Sequence, residues 1–440
     1  MKSKQERIEQ ATCDDKRRVI PFTAATAIVV SSMIGTGIFT TTGLMVSMGA
    51  TGGDILLAWA LGGVVALCGA LCYAEIGANL PASGGEYHYL SRLLHPALGF
   101  MSGCISLIVG FAAPIAAAAM AMHIYLAKII AGWPVAVMAA ATILLLSLLH
   151  AYDVRLGSRV QTVLTLLKVL LIAAFIFGIW LRAGDASQLS TVDFKPALGA
   201  SSQFAVVLVF VSFAYSGWNA SAYIGAEIEN PSRTLPRSLI AGTITVAVIY
   251  LLINLSYLSA APLSEISGVE SVAHTVAERL WGTMGGRIVS TAIALTLIVP
   301  VSAMILIGPR VAEAMARDGL IFRVFARLNS RGVPSYAVFL QAALASVVAV
   351  TSSFDKLLIY IGFTLNIFAA LTVVSLFRLR ARGESCHRIC IGYPVTPLVF
   401  LAFAAWMTVW SIRSEPRATL AGVGTLAACY LIYLIRSRVN

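Results

Sequence analysis

The chain has 440 residues, of which 59% are hydrophobic and only 12% are charged, and its mean hydropathy is +0.87. This composition excludes an ordinary soluble domain. The net charge of +11 does not indicate a nucleic-acid partner, because the basic residues form brief tracts beside apolar segments. We therefore expect an all-α integral membrane protein that binds no nucleic acid. We also expect no cofactor and no metal, because Cys386, His387 and Cys390 share one loop but lack a fourth ligand.

Long apolar runs predict the transmembrane helices. A bilayer core about 30 Å thick requires roughly 20 apolar residues per helix, so this length accommodates about twelve spans. In chain order, the predicted spans are residues 21–46, 55–80, 98–126, 135–150, 160–181, 204–226, 239–260, 288–315, 336–351, 357–377, 395–412 and 420–435.

The lysine and arginine residues predict the orientation. With the tails and the even-numbered loops assigned to the cytoplasm, 22 of the 31 Lys and Arg residues lie on that side and eight on the other. Cytoplasmic loops carry an excess of these residues. We therefore expect both termini to be cytoplasmic, residues 1–18 to form a cytoplasmic tail, and the membrane to be a bacterial inner (plasma) membrane.

Two predicted spans carry small and polar residues at their midpoints. They are the first span, at residues 31–37 (SSMIGTG), and the sixth, at residues 215–219 (YSGWN). Glycines in membrane helices can simply allow close packing. A matched pair five spans apart, however, indicates two interrupted helices in inverted five-helix repeats. The repeats would cover residues 19–182 and 202–380, with helices eleven and twelve in residues 393–436.

The two interruptions can bind opposite charges. Free N–H groups at Gly35 to Gly37 begin a half-helix, whose positive dipole end suits a carboxylate. Carbonyl groups around residues 213–216 lie at a half-helix C-terminus and suit an ammonium group. Together they fit the zwitterion of an α-amino acid.

Several segments resemble the APC superfamily of amino acid, polyamine and organocation transporters, and most closely its L-amino-acid transporter branch. The segments are residues 34–39 (IGTGIF), 73–76 (YAEI), 81–87 (PASGGEY), 213–219 (FAYSGWN) and 230–237 (NPSRTLPR). The resemblance implies an inverted-repeat fold of the LeuT type with discontinuous helices 1 and 6. It also implies secondary active transport of neutral L-amino acids by alternating access.

The resemblance further implies the substrate site. Ser32, Met33, Thr36 and Gly37 would face the carboxylate, Phe213 would be an aromatic gate, and Asn219 would be a polar contact. The full set of expected substrate-binding residues is Ser32, Met33, Ile34, Gly35, Thr36, Gly37, Phe213, Ala214, Tyr215, Ser216 and Asn219.

Two departures from the family pattern bear on the size of the substrate. Thr36 stands where the family usually has Ser, and Ser216 stands where it frequently has Gly. This extra bulk favours small or medium neutral side chains. Phe363 and Asn366 could line the cavity from the tenth span, although helix packing explains them as well.

Lys168 lies near the middle of an apolar span. A buried ammonium group must have a partner, so we expect it to face the bundle interior. In similar transporters a lysine at this place bonds to carbonyls of the first span where sodium-coupled relatives hold an ion, which implies sodium independence. Proton coupling through Lys168 and a fixed bracing charge are both open.

Alternatives within transport are exchange and proton symport, and a cationic amino acid or polyamine as the substrate. A cationic substrate would need an acidic group at mid-membrane, whereas the acidic residues considered, Asp54, Glu75, Glu227, Glu313 and Asp355, all lie near span ends. A membrane enzyme would need a cluster of catalytic residues near one interface, and the sequence offers none. The sequence does not indicate a partner subunit.

Overall fold

The computed structural model describes residues 18–127, 129–130, 132–152, 154–183, 192–199, 201–351, 354–414 and 416–437. Within these ranges the chain is helical, and the only β-type pairs are two isolated bridges, Ile20 with Ile228 and Ser83 with Ile224. Six helical segments of the described chain are long and apolar enough to cross a membrane, and five shorter apolar helices accompany them. The prediction of a helical protein with several apolar spans is therefore confirmed.

Among the described residues, the first half of the chain contains eight α-helices of very different length. In order they are α1 (Phe22–Met33), α2 (Gly37–Ser47), α3 (Gly52–Asn79), α4 (Glu86–Leu93), α5 (Pro96–Ile105), α6 (Ala113–Ala127), α7 (Val135–His150) and α8 (Val154–Ala183). A π-helical segment, Ser106–Ala112, joins α5 to α6.

The second half begins with a short apolar helix and two 3₁₀ turns. Its helices are α9 (Ser202–Tyr215), α10 (Pro231–Ala260), α11 (Leu263–Ile266), α12 (Val272–Ile307), α13 (Pro309–Arg317), α14 (Ser335–Thr351), α15 (Phe354–Ala381), α16 (Val395–Ser414) and α17 (Pro416–Ser437). The 3₁₀ turns between α9 and α10 are Ala220–Tyr223 and Gly225–Glu227, and a third is Arg323–Ala326.

The predicted bounds hold better for some spans than for others. Helix α7 has the bounds predicted for the fourth span. The predicted span 288–315 instead covers the end of α12 and nearly all of α13, and α12 itself is kinked at Gly282, whose φ is +71°. A hydropathy pattern indicates how long an apolar segment is, but it does not reveal a kink of this kind within a helix.

The first interruption separates α1 from α2. Helix α1 ends at Met33, Ile34 has a ψ of 84°, and α2 begins at Gly37. Serine, threonine and glycine have low helix propensity, so this run does not favour a continuous helix. The gap between α1 and α2 therefore lies within residues 31–37, where the sequence predicted an interruption.

The second interruption follows α9. Ser216 is extended, with ψ 147°, and Gly217 has φ +96°, a conformation that only glycine adopts without strain. The chain then continues through the two 3₁₀ turns to Asn230. The backbone therefore leaves the helical path within the segment predicted from the sequence.

The interrupted helices lie at the centre of the bundle. Helix α10 packs against both α3 and α1, α8 packs against α1, and α9 packs against α2. Most side chains of α1, α2 and α9 are buried. Backbone groups released at the two breaks are therefore enclosed by protein, as a membrane interior requires.

Candidate functional site

The two interruptions are in direct contact. A Cβ added to Gly217 would lie 2.8 Å from the carbonyl oxygen of Ser32, so the two backbones approach as closely as glycine permits. The buried hydroxyl of Tyr250, on α10, lies 2.6 Å from the carbonyl oxygen of Met33 and 2.9 Å from that of Ala214. One side chain thus bridges the ends of α1 and α9.

A small cavity of about 20 Å³ lies between the breaks. Ser32 is buried, and among the described residues its hydroxyl has no hydrogen-bond partner. The cavity brings together eight of the residues that the sequence assigned to the substrate. These are Ser32, Met33, Gly35, Thr36, Gly37, Phe213, Ala214 and Ser216, and Pro114, Ala118, Pro300 and Met304 complete the wall.

The two half-helices give this cavity opposite polarity. The N–H groups in the first turn of α2, at Gly37 and Ile38, have no carbonyl one turn earlier within the helix, so they carry partial positive charge. The last carbonyls of α9, including that of Ala214, carry partial negative charge. The cavity can therefore bind a small group that has both an anionic and a cationic end.

A larger cavity of about 110 Å³ adjoins the small one and shares Ser32, Phe213 and Ser216 with it. Tyr215 also lines this cavity, with its hydroxyl donating to the carbonyl of Trp59. Asn366 lies on the wall and donates to the carbonyl of Ala404 and to Thr408. The side chain of Phe363, the other residue expected from the tenth span, lies outside the described residues.

Ile34 and Lys168 form a contact beside the cavities rather than inside them. Lys168 is fully buried on α8, and its ammonium group donates to the carbonyl oxygen of Ile34, in the gap between α1 and α2. This is the kind of carbonyl contact that the resemblance implied for it. The ammonium group therefore stabilises a main-chain oxygen that the interruption has released from the helix.

Glu86 also reaches the larger cavity, and the sequence interpretation missed it. The acidic residues considered in the sequence did not include Glu86. Glu86 is the first residue of α4, is 3% exposed and lines the cavity. Its Oε1 atom accepts hydrogen bonds from the Tyr73 hydroxyl, at 2.6 Å, and from Asn219 Nδ2, at 3.0 Å. Burial raises the pKa of this carboxyl to about 7.

The local sequence contains a signal for this placement. Gly84 and Gly85 both have positive φ, 106° and 53°, so the chain makes a tight turn directly before Glu86. Tyr87, Tyr89, Leu90 and Leu93 are buried along the short helix that follows. A loop helix with this many buried aromatic and aliphatic residues is typical of a loop that folds back into the protein.

The other acidic groups hold helices together. Glu75 accepts two hydrogen bonds from Arg380, both at 2.6 Å, and Asp54 forms a capping box with Thr51 at the start of α3.

Arg310 pairs with Glu227 at 2.7 Å and with Glu313 at 3.2 Å, and Arg317 pairs with Glu313 as well. The side chain of Asp355 lies outside the described residues.

Comparison with known proteins connects this geometry to a family. A family model described as amino acid permease matches residues 20–435. The chain is 31% identical to the serine/threonine exchanger SteT of Bacillus subtilis over 394 residues, which cover 86% of this chain and 87% of the relative.

Two mammalian relatives match at similar identity. The large neutral amino acids transporter small subunit 2 of Mus musculus is 29% identical, with 93% of this chain and 78% of the relative covered. The b(0,+)-type amino acid transporter 1 of Homo sapiens is 30% identical, with 89% and 82% covered. The match extends through both interrupted helices and nearly to both ends of the chain, so the chain belongs to the amino acid permease family of the APC superfamily of transporters.

Proposed function

We propose that the chain is a secondary active transporter of neutral L-amino acids that works by alternating access, as a sodium-independent exchanger or a proton symporter. The observation that carries this proposal is the pair of facing helix interruptions, which present opposite partial charges to one small cavity. The carboxylate of the amino acid would bind the N–H groups of α2 and the unpaired hydroxyl of Ser32. The ammonium group would bind carbonyls at the end of α9.

Architecture supports alternating access around this site. We infer about twelve transmembrane helices, with inverted repeats in residues 19–182 and 202–380 and two further helices in residues 393–436. Helix α1 in the first repeat and α9 in the second are the corresponding interrupted helices. The lysine and arginine distribution supports cytoplasmic termini, and the Bacillus subtilis relative supports a bacterial inner membrane.

Cavity size supports small or medium neutral substrates. The side chain of an amino acid held in the small cavity would extend into the adjoining cavity of about 110 Å³, past Ser216 and Phe213. The relatives are named for serine and threonine and for large neutral amino acids. A cationic substrate is the second candidate, and the carboxyl of Glu86 in the cavity wall is the observation that favours it.

Lys168 supports sodium independence. Its ammonium group bonds to the carbonyl of Ile34, so a positive charge already occupies the gap in the first interrupted helix. A sodium ion at that carbonyl would meet like-charge repulsion and would have to displace the ammonium group. We therefore expect uptake to be equal in sodium and in potassium buffers.

Reconstitution tests these proposals. Purified protein would be placed in liposomes that are empty or preloaded with L-threonine, and uptake of labelled L-threonine, L-leucine and L-arginine would be measured with and without a pH gradient. Neutral substrates should outcompete arginine, preloading should stimulate an exchanger, and an inward proton gradient should drive a symporter. Absence of uptake of any of the twenty amino acids would overturn the proposal, and a sodium requirement would overturn the role of Lys168.

A matched pair of glycine variants tests the contact between the interruptions. Gly217 and Gly332 both have positive φ, 96° and 78°, but only Gly217 has backbone within 3 Å of the position of an added Cβ. Gly217→Ala should therefore abolish uptake, whereas Gly332→Ala should retain it with the same backbone strain. Equal uptake by both variants would contradict a site formed by the contact of Gly217 with Ser32.

A further inference from the structure

Two buried glutamates near the cytoplasmic end of α3 have very different surroundings. Glu75 is 0% exposed and accepts bonds from Arg380, from Ser385 and from the backbone N–H groups of Ile389 and Cys390. These donors include a guanidinium group, and they suit a permanently charged carboxylate. Glu75 shows how this protein stabilises a buried negative charge.

Glu86 lacks surroundings of this kind. Its two hydrogen-bond donors, Tyr73 and Asn219, are uncharged. An ionised carboxylate in such an environment is costly, because neutral donors replace only part of the lost hydration. The structure therefore favours a carboxyl group that gains and loses a proton.

Titratable side chains around Glu86 do not supply a counter-charge in the described structure. Tyr73 faces it from α3, Tyr89 from its own helix, and Tyr223 from the 3₁₀ turn after the second interruption. On α15, Arg380 forms an ion pair with Glu75. On α5, the thiol of Cys104 forms a hydrogen bond with the thiol of Cys429. On α4 itself, the hydroxyl of Tyr87 donates to Asp318, and His88 interacts with Arg92 and Asp318.

We propose that Glu86 is a proton-binding group of the transport cycle, which carries a proton while Tyr73 and Asn219 enclose its carboxyl and releases the proton when the segment after α9 withdraws. This inference rests on the proposed transport function. The segment concerned runs from Ser216 to Glu229, and Asn219 lies within it.

Main-chain contacts show what must separate for that segment to move. The carbonyl of Glu227 accepts from the N–H groups of Val19 and Ile20, Glu229 donates to the carbonyl of Ile20, and Gly84 donates to the carbonyl of Tyr223. These bonds tie the segment to the start of α1 and to the turn before Glu86. Under the proposed topology they close the cytoplasmic end of the site, so opening that end would break the bond between Asn219 and Glu86.

The geometry identifies the oxygen that takes the proton. Oε1 already accepts two hydrogen bonds, so the proton adds to Oε2, and the carboxylate becomes a neutral carboxylic acid. The proton comes from water at the cytoplasmic end of the site as that end closes. It returns to water when the carboxyl is exposed again, so one proton is bound and one released per cycle.

The sign of the pH dependence follows from the two environments. In the enclosed arrangement the pKa of Glu86 is about 7, whereas in an arrangement open to water it returns toward 4.5. A bound proton therefore favours the enclosed arrangement. Its effect is complete below pH 4.5 and disappears as the pH rises through 7. Between these values, each pH unit shifts the ratio of enclosed to open forms by up to about tenfold.

Infrared difference spectroscopy on purified protein at pH values on either side of 7 tests proton binding directly. The wild type should show the C=O band of a buried protonated carboxyl that is lost as the pH rises through about 7. Glu86→Gln should lack this band, and Glu265→Gln, a change at an exposed glutamate paired with Arg279, should keep it. A titrating band that persists in Glu86→Gln, or that is absent from the wild type, would overturn the inference.

A second variant leaves the carboxyl in place. The hydroxyl of Tyr73 lowers the pKa of Glu86, so Tyr73→Phe should move the titration of the band to higher pH. The titration of the infrared band in Tyr73→Phe shows whether Glu86 binds the proton even if Glu86→Gln does not fold. An unchanged titration in Tyr73→Phe would contradict the assignment to Glu86.

Transport measurements separate this inference from the proposed function. Exchange of L-threonine and L-leucine by the wild type should depend on cytoplasmic-side pH near 7, and Glu86→Gln, which mimics the neutral acid, should show a flat profile. Exchange with the wild-type pH profile in Glu86→Gln would overturn the inference and leave the proposed function intact. Wild-type protein that exchanges no amino acid would overturn the proposed function, while the infrared result would still decide whether Glu86 binds a proton.

Discussion

Gly37 packs directly against Ala214, so closely that a Cβ on Gly37 would lie 2.5 Å from the Cβ of Ala214. This contact joins the first turn of α2 to the end of α9. It sets the distance between the half-helix that presents N–H groups and the half-helix that presents carbonyls.

Gly37→Ala should therefore abolish uptake. The added methyl group would also lie 2.7 Å from the Cα of Ala214, so backbone must move, and overpacking of this kind costs about 1–3 kcal/mol. Uptake into proteoliposomes and thermal unfolding in detergent would measure both effects. Gly424→Ala, in α17, is the matched control, because nothing lies within 4 Å of its new Cβ. Equal loss of uptake in both variants would contradict this reasoning.

Lys168→Met should reduce uptake strongly. The substitution shortens the side chain by one atom and removes the donor to the carbonyl of Ile34, and leaving a buried acceptor unsatisfied costs about 1–3 kcal/mol. We expect uptake to fall by about fivefold to 150-fold, because each 1.4 kcal/mol corresponds to a factor of ten. Lys195→Met, at an exposed position, should leave uptake unchanged. Full uptake by Lys168→Met would show that the ammonium group has no part in the cycle.

Arg380→Met should destabilise the protein more than any exposed charge variant. It leaves the fully buried carboxylate of Glu75 without its guanidinium partner, which lowers the free energy of unfolding by about 3–5 kcal/mol. The cation–π contact of Arg380 with Tyr393, at 3.8 Å, would be lost as well. Thermal unfolding in detergent gives the measurement.

Arg279→Met is the control for this prediction. Arg279 pairs with Glu265, but both side chains are more than a third exposed, so the pair contributes less than about 1 kcal/mol. A similar loss of stability in the two variants would mean that burial does not determine the strength of these pairs. The double variant with Glu75→Gln should recover part of the stability lost by Arg380→Met, because it removes the unpaired charge.

Ser216→Gly should shift the substrate preference toward larger side chains. Ser216 lines both cavities, and removing its hydroxymethyl group creates room where they meet. One such group in a pocket changes discrimination by roughly 1–3 kcal/mol. Competition of labelled L-threonine uptake by L-leucine and L-tryptophan would measure the change. Ser47→Gly, at an exposed residue at the end of α2, should leave the preference unchanged.

Sequence alone predicted the parts of the fold that rest on apolar length and local composition. Long apolar runs indicated the spans, and the small and polar residues at 31–37 and 215–219 indicated where helices end within them. These are local properties of the chain. In the structure, the first break occurs at Ile34 and the second at Ser216 and Gly217, so both lie within the predicted segments.

Features that depend on long-range packing were not predictable in this way. Glu86 and Asn219 are 133 residues apart, and no local pattern pairs them. Glu86 follows a predicted span, in a segment that hydropathy assigns to a polar loop. Its place in the cavity results from the turn at Gly84 and Gly85 and from the packing of α4 against α5.

The π-helical segment Ser106–Ala112 sets the orientation of one cavity wall. Gly110 and Phe111 lie in this segment and line the larger cavity. A π turn contains one residue more than an α turn, and one residue corresponds to a rotation of about 100° around an α-helix. Removing a single residue here would restore regular α-helical winding and keep α5 and α6 in register, yet it would take away the wide turn that places Gly110 and Phe111 on the cavity wall. The shape of the larger cavity is therefore determined by the winding of a helix as well as by the side chains that line it.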